Sequence, residues 1–141
     1  MMSCNMAYEP LGLVPRYLIN QITEVARACV PAQYNGSFII PFPAGLSALA
    51  YIPGAGSIAT IQLVGLAPSQ QIALHADASI APAVRYHVVL RSNDACWSYS
   101  VGTKWTKLSE GMIYRMDPAE PHGAVNWGET VRLHLMIDVE L

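Results

Sequence analysis

Charge is scarce in this chain. Its 141 residues carry 8 lysines and arginines against 10 aspartates and glutamates, for a net charge of -2 with histidine neutral. So few cations leave no basic stripe for nucleic-acid phosphates, and a sequence that is 52% hydrophobic lacks the composition of disorder. Cysteines number three, Cys4, Cys29 and Cys96, an odd count without metal-type spacing. No disulfide framework follows, and reduced thiols in a cytoplasmic protein are the expectation. No stretch approaches the roughly 18 apolar residues of a membrane span, and residues 1–17 lack the positive start and apolar segment of a signal peptide. The composition therefore predicts a soluble cytoplasmic protein that engages neither nucleic acid nor membrane.

Long helical runs are equally few. Ten prolines and ten glycines interrupt short runs rich in Val, Ile, Thr and Tyr, a pattern of strands and turns. One helix is predicted, from Pro15 to about Val30: Leu18, Ile22, Val25 and Cys29 recur at the helical period, with Arg16, Asn20, Thr23, Glu24 and Arg27 opposite. Residues 1–14, with Pro10 as a breaker, read as irregular. Short strands are expected near 37–40, 48–52, 58–66, 71–75, 85–90, 96–101, 112–116, 122–126 and 131–139, separated by turn signals such as Ser92-Asn93-Asp94 and Trp127-Gly128. The length suits one domain over 1–141. It divides into an N-terminal helical segment over 1–35 and, over 36–141, a mainly β double-stranded β-helix of the jelly-roll or cupin-like kind. The mouth of such a barrel is a usual place for a ligand. Its uncovered sheet edge, or the apolar N-terminal third, would allow a homodimer.

Among these strands the stretch His75-Ala76-Asp77 carries the chemistry. On a strand, residues two apart point the same way, so His75 and Asp77 can both grip one ion. A distant histidine, His122, supplies a third ligand from a neighbouring strand. Two histidines and one carboxylate form the facial set that holds non-haem Fe(II) and leaves coordination positions open. Each histidine alone is more often a hydrogen-bonded core or surface residue than a ligand, and His134 is read that way.

The last strand is the most legible. Val131, Leu133, Leu135, Ile137 and Val139 form one apolar face, and Arg132, His134, Met136 and Asp138 the other. An arginine on the inner face of a barrel needs an anion, because an unpaired buried charge is costly. The far carboxylate of 2-oxoglutarate would meet Arg132 with two parallel hydrogen bonds; the alternative is an internal pair with Asp138 or Glu129. Arg85 and His87 share a face in the same way. For Arg85 the choice lies between an anionic group on the substrate and an internal pair with Asp77, Asp117 or Glu120.

His75-x-Asp77, Arg85-x-His87, Trp105 followed by Glu110-Gly111, Met116-Asp117, His122-x-x-x-Asn126 and Arg132 in a strand ending Ile137-Asp138-Val139 together resemble the aspartyl/asparaginyl β-hydroxylase family of Fe(II)/2-oxoglutarate oxygenases. The resemblance spans about residues 70–139. It implies iron ligation by His75 and His122, a 2-oxoglutarate clamp at Arg132, a contact from His87 to the metal-side carboxylate, and a substrate contact from Arg85. Asp77 completes a triad that some animal members lack. The implied activity is hydroxylation, with O2, of a C–H bond on a small or peptidic, anionic substrate. Two other readings use the same residues: a non-enzymatic cupin-like module binding a metal or small ligand, and a metal-independent sugar-nucleotide isomerase with His75 as base and Tyr86 or Tyr99 as acid.

Overall fold

Alternation of apolar and polar side chains makes a strand serve two environments at once, and the central strand of this protein does so with one exception, an apolar Met136 on its polar face. A computed structural model describes residues 8–29, 37–42, 58–77, 83–100 and 104–140. The elements are β1 (Glu9–Leu13), α1 (Arg16–Cys29), β2 (Phe38–Pro41), β3 (Ile58–Leu66), β4 (Gln70–His75), β5 (Ala83–Arg91), β6 (Cys96–Ser100), β7 (Lys104–Thr106), β8 (Met112–Met116), β9 (His122–Asn126) and β10 (Arg132–Glu140). They form two antiparallel sheets, one in the order β1-β8-β5-β10-β3-β2 and one in the order β4-β9-β6-β7. This is a double-stranded β-helix with one N-terminal helix.

Strand β10 lies between β5 and β3. Met136 is opposite both His87 and Gln62, and Asp138 is opposite both Arg85 and Thr60. Its apolar face, Leu135, Ile137 and Val139, is buried with Leu63, Val88 and Leu90 against Leu18, Ile19 and Ile22 of α1. Each such side chain contributes about 1.5–3 kcal/mol by leaving water. Its other face, with Arg132, Met136 and Asp138, lines a cavity shared with the smaller sheet. The helix starts where Pro15 predicts, its carbonyl accepting from the Leu18 and Ile19 N–H groups. No helix among the described residues is long and apolar enough to cross a membrane.

Two strands depart from the sequence reading. Residues 9–13, expected to be irregular, form β1 along β8. Proline is tolerated there because β1 is an edge strand, and the register shifts between Pro10 and Gly12, where Gly12 takes a φ of 141°. Strand β7 is three residues long, too short to show a period, and is marked by Trp105 packing on Tyr99 with ring centroids 5.2 Å apart. The strand expected at 48–52 lies outside the described residues.

Candidate metal centre

Strands β4 and β9 run side by side, Ile72 opposite Ala124, until one extra residue in β4 shifts the register and sets His75 opposite His122. That bulge re-aims His75. It also brings β4 onto Gly123, where a Cβ would stand 2.8 Å from the Ile72 carbonyl oxygen and 3.3 Å from the Leu74 nitrogen. Backbone cannot yield as a side-chain tip can. Gly123→Ala is therefore expected to cost about 1–3 kcal/mol, read as a Tm lower by several degrees; an unchanged Tm would show that the bulge relaxes freely.

The two imidazoles lie 4.4 Å apart between centroids. His75 Nδ1 is 2.8 Å from the Ala73 carbonyl oxygen and His122 Nδ1 is 2.7 Å from that of Glu120. A carbonyl only accepts, so both Nδ1 atoms carry a proton, and in the neutral ring Nε2 is the atom left with a lone pair. Those atoms face Asp77: His75 Nε2 is 3.7 Å from Oδ1 and His122 Nε2 is 3.6 Å from Oδ2. One ligand atom from each of the three residues lies within 4.8 Å of the others. Burial, the largest influence, pulls the His122 pKa below its ordinary value and favours the neutral, ligating form.

Asp77 arrives differently from the sequence reading, which put it on one strand with His75. Strand β4 ends at His75. Asp77 is held instead by its N–H to the Pro118 carbonyl, 2.9 Å, and by Arg85 Nη1 to its Oδ2, 2.7 Å. Arg85 is in turn clamped by Asp138, Nε to Oδ1 at 2.7 Å and Nη2 to Oδ2 at 3.0 Å. Burial opposes the Arg85 charge, but the hydrogen bonds and charges of Asp138 and Asp77 outweigh it and its pKa is raised. The anion sought for Arg85 is thus supplied within the chain by Asp77, one of the partners weighed from the sequence, and by Asp138, which was not weighed for it.

Arg132 is in the opposite situation. It is 4% exposed, and among the described residues it has no carboxylate within ion-pair distance and its Nε has no hydrogen-bond partner. Asp138, weighed as its partner, is taken by Arg85. Burial pulls the Arg132 pKa below its ordinary value, opposed only in part by Tyr8 and Cys96.

His87 also ends in an orphan. Its Nδ1 is 3.1 Å from His134 Nδ1, so one ring donates and the other accepts, while its buried Nε2 has no partner among the described residues. Burial pushes both pKa values well below 6.5; Arg132, Arg85 and His122 add to the effect at His87, and Arg132 and His87 add to it at His134. Unfolded, each titrates near 6.5. As pH falls through about 6.5 the unfolded chain takes up protons that the folded chain resists, so stability falls with acid. A Tm measured from pH 8 to pH 5 is expected to drop; a flat profile would show that these rings charge in place.

All of these groups except His134 line one cavity of about 790 Å³ with Tyr8, Phe38, Gln62, Ile72 and Met136. Asp138, Tyr8 and Gln62 were not foreseen as site residues. Asp138 had a signal, its place on the inward face of β10, whereas Tyr8 precedes any periodic pattern. Residues 41–141 match the aspartyl/asparaginyl beta-hydroxylase family. No curated protein matches the chain. Among solved structures, AviO1 from Streptomyces viridochromogenes Tue57 is 13% identical with a TM-score of 0.69, over 96% of this chain and 90% of its own. A Pseudomonas putida prolyl-4-hydroxylase is 13% identical with a TM-score of 0.67, over 95% and 92%. A cupin domain from Bordetella pertussis Tohama I is 11% identical with a TM-score of 0.53, over 79% and 100%. At these identities the likeness is one of fold, and the family rests on the match over 41–141: the chain belongs to the aspartyl/asparaginyl β-hydroxylase family.

Proposed function

We propose that the protein is an Fe(II)- and 2-oxoglutarate-dependent dioxygenase that hydroxylates a C–H bond of a small or peptidic substrate. The observation that carries this reading is Arg132, a buried guanidinium with an orphaned Nε in the cavity that also holds His75, Asp77 and His122. Leaving a buried charge unpaired is costly, and a carboxylate from a ligand removes the cost. The donor set fits the metal: two imidazoles held by Nδ1, with Nε2 left to ligate, and one carboxylate suit a divalent iron and cover only part of its coordination sphere.

When bound, Fe(II) supplies O2 activation, oxidative decarboxylation of 2-oxoglutarate to succinate and CO2, and transfer of one oxygen atom to the substrate. The chain's own work is to bind and orient. Arg132 would take the far carboxylate of 2-oxoglutarate through paired charge-assisted hydrogen bonds. His87 would donate from Nε2 to the metal-side carboxylate, which selects its Nε2–H tautomer and makes His134 Nδ1 the donor within the imidazole pair. Arg85 restrains Asp77 through Oδ2, leaving Oδ1 without an arginine contact. The test is an anaerobic titration of Fe(II)-loaded protein with 2-oxoglutarate. The expected result is the visible metal-to-ligand absorption of the chelate, saturating at one equivalent per chain. Iron binding without that band would sink the co-substrate assignment.

A further inference from the structure

The charges of the cavity can be counted for the whole chain, because no Lys, Arg, His, Asp or Glu occurs outside the described residues. Four permanently charged side chains line it: Arg85 and Arg132, Asp77 and Asp138. Two of the remaining cations have partners elsewhere, Arg115 with Glu9 and Arg27 with Glu24. The two cavity arginines match the two aspartates, and a divalent metal would match a bound dicarboxylate. Nothing is left over.

We infer that the part of the substrate entering this cavity is uncharged, an apolar body bearing amide or hydroxyl groups rather than a carboxylate, a phosphate or an ammonium. The inference rests on the proposed function in one respect, that Arg132 is occupied by 2-oxoglutarate. Arg85 would be the obvious second anion site, yet it spends Nε and Nη2 on Asp138 and Nη1 on Asp77 and is 7% exposed. A substrate carboxylate could meet only the second N–H of Nη1 or Nη2, on a buried guanidinium whose charge the two aspartates already balance; it would bring an uncompensated negative charge into the cavity, which is costly. An ammonium meets the converse difficulty, since both cavity aspartates are already engaged by Arg85. The rest of the lining agrees with a neutral guest. Phe38, Ile39, Ile72 and Met136 give apolar surface, and Gln62, half-buried on β3, makes no side-chain hydrogen bond among the described residues. Its amide can both donate and accept, which suits another amide or a hydroxyl.

The experiment uses matched acid and amide pairs, each differing only in charge: 4-methylpentanoate and 4-methylpentanamide, phenylacetate and phenylacetamide, and N-acetylaspartate and N-acetylasparagine. Binding is followed by NMR on the full chain loaded with redox-inert Zn(II), first alone and then saturated with 2-oxoglutarate. On Zn(II) protein alone the acids are expected to bind better, because the metal and Arg132 are open to them. Once 2-oxoglutarate is bound the order should reverse, the amides binding about tenfold tighter or more. Asp138→Asn, which removes one partner of Arg85, should restore acid binding to the loaded protein. Acids that bind as tightly as their amides to the 2-oxoglutarate-loaded wild type would overturn the inference while leaving the proposed function intact. Failure of 2-oxoglutarate to bind the Zn(II) protein at the first step would instead remove the proposed function.

Discussion

Replacing His75 or His122 with alanine is expected to abolish stoichiometric Fe(II) binding, and Asp77→Ala to weaken it. Loss of a group that merely orients a metal ligand typically lowers affinity about 10–100-fold, so loss of the ligand itself should cost more than about 100-fold. Both histidines are already tautomerically set by backbone carbonyls, and neither has to be rearranged to bind. The Asp77 change acts twice. It removes a carboxylate and leaves Arg85 Nη1, now 2.7 Å from that carboxylate, as a positive charge facing the metal without it. Asp138 still holds the other side of Arg85, which moderates the loss. Iron content after gel filtration, with calorimetry for affinity, checks all three variants. Unchanged iron affinity in either histidine variant would remove the proposed centre.

The second large effect is expected at Arg132. Arg132→Met should raise the 2-oxoglutarate requirement by well over tenfold, since loss of a buried charge-assisted pair costs about 2–5 kcal/mol, much of it the penalty of an unpaired carboxylate. Iron binding should persist. The ligand-free protein should be no less stable than wild type, because exchanging an unpaired buried ion for an apolar group of similar volume is commonly neutral or stabilising. This pairing of outcomes separates a ligand clamp from a structural arginine. A variant that unfolds without ligand present would show that Arg132 supports the fold.

How far the sequence disclosed all this depended on whether a signal was local. Strand β10 was legible because its alternation runs from Leu133 to Val139, and α1 because Leu18, Ile22 and Val25 repeat at the helical period. His75, Asp77 and His122 could be named from residue type, but Asp77 reaches the site from beyond the end of β4, which strand alternation does not describe. The pair of Arg85 with Asp138 spans 53 positions. It is created by the register of β5 on β10, which no local pattern states. Pro10 argued against a strand at 9–13, and only an edge position removes that objection.

The position of β10 has a bearing on synthesis. Both strands that pair with it, β3 and β5, precede it in the chain, so the larger sheet exists as two unconnected pieces, β1-β8-β5 and β3-β2, until its middle strand has been made. The contacts that join them are among the most distant in sequence, Asp138 with Thr60 for example, and such pairings form slowly. A ribosome that stalled before Arg132 would release a chain with two bare strand edges exposed to any neighbour. The same chain would also lack Arg132 and Asp138. A nascent chain of that length is accordingly expected to depend on chaperones or be degraded, rather than to persist as a weakened enzyme.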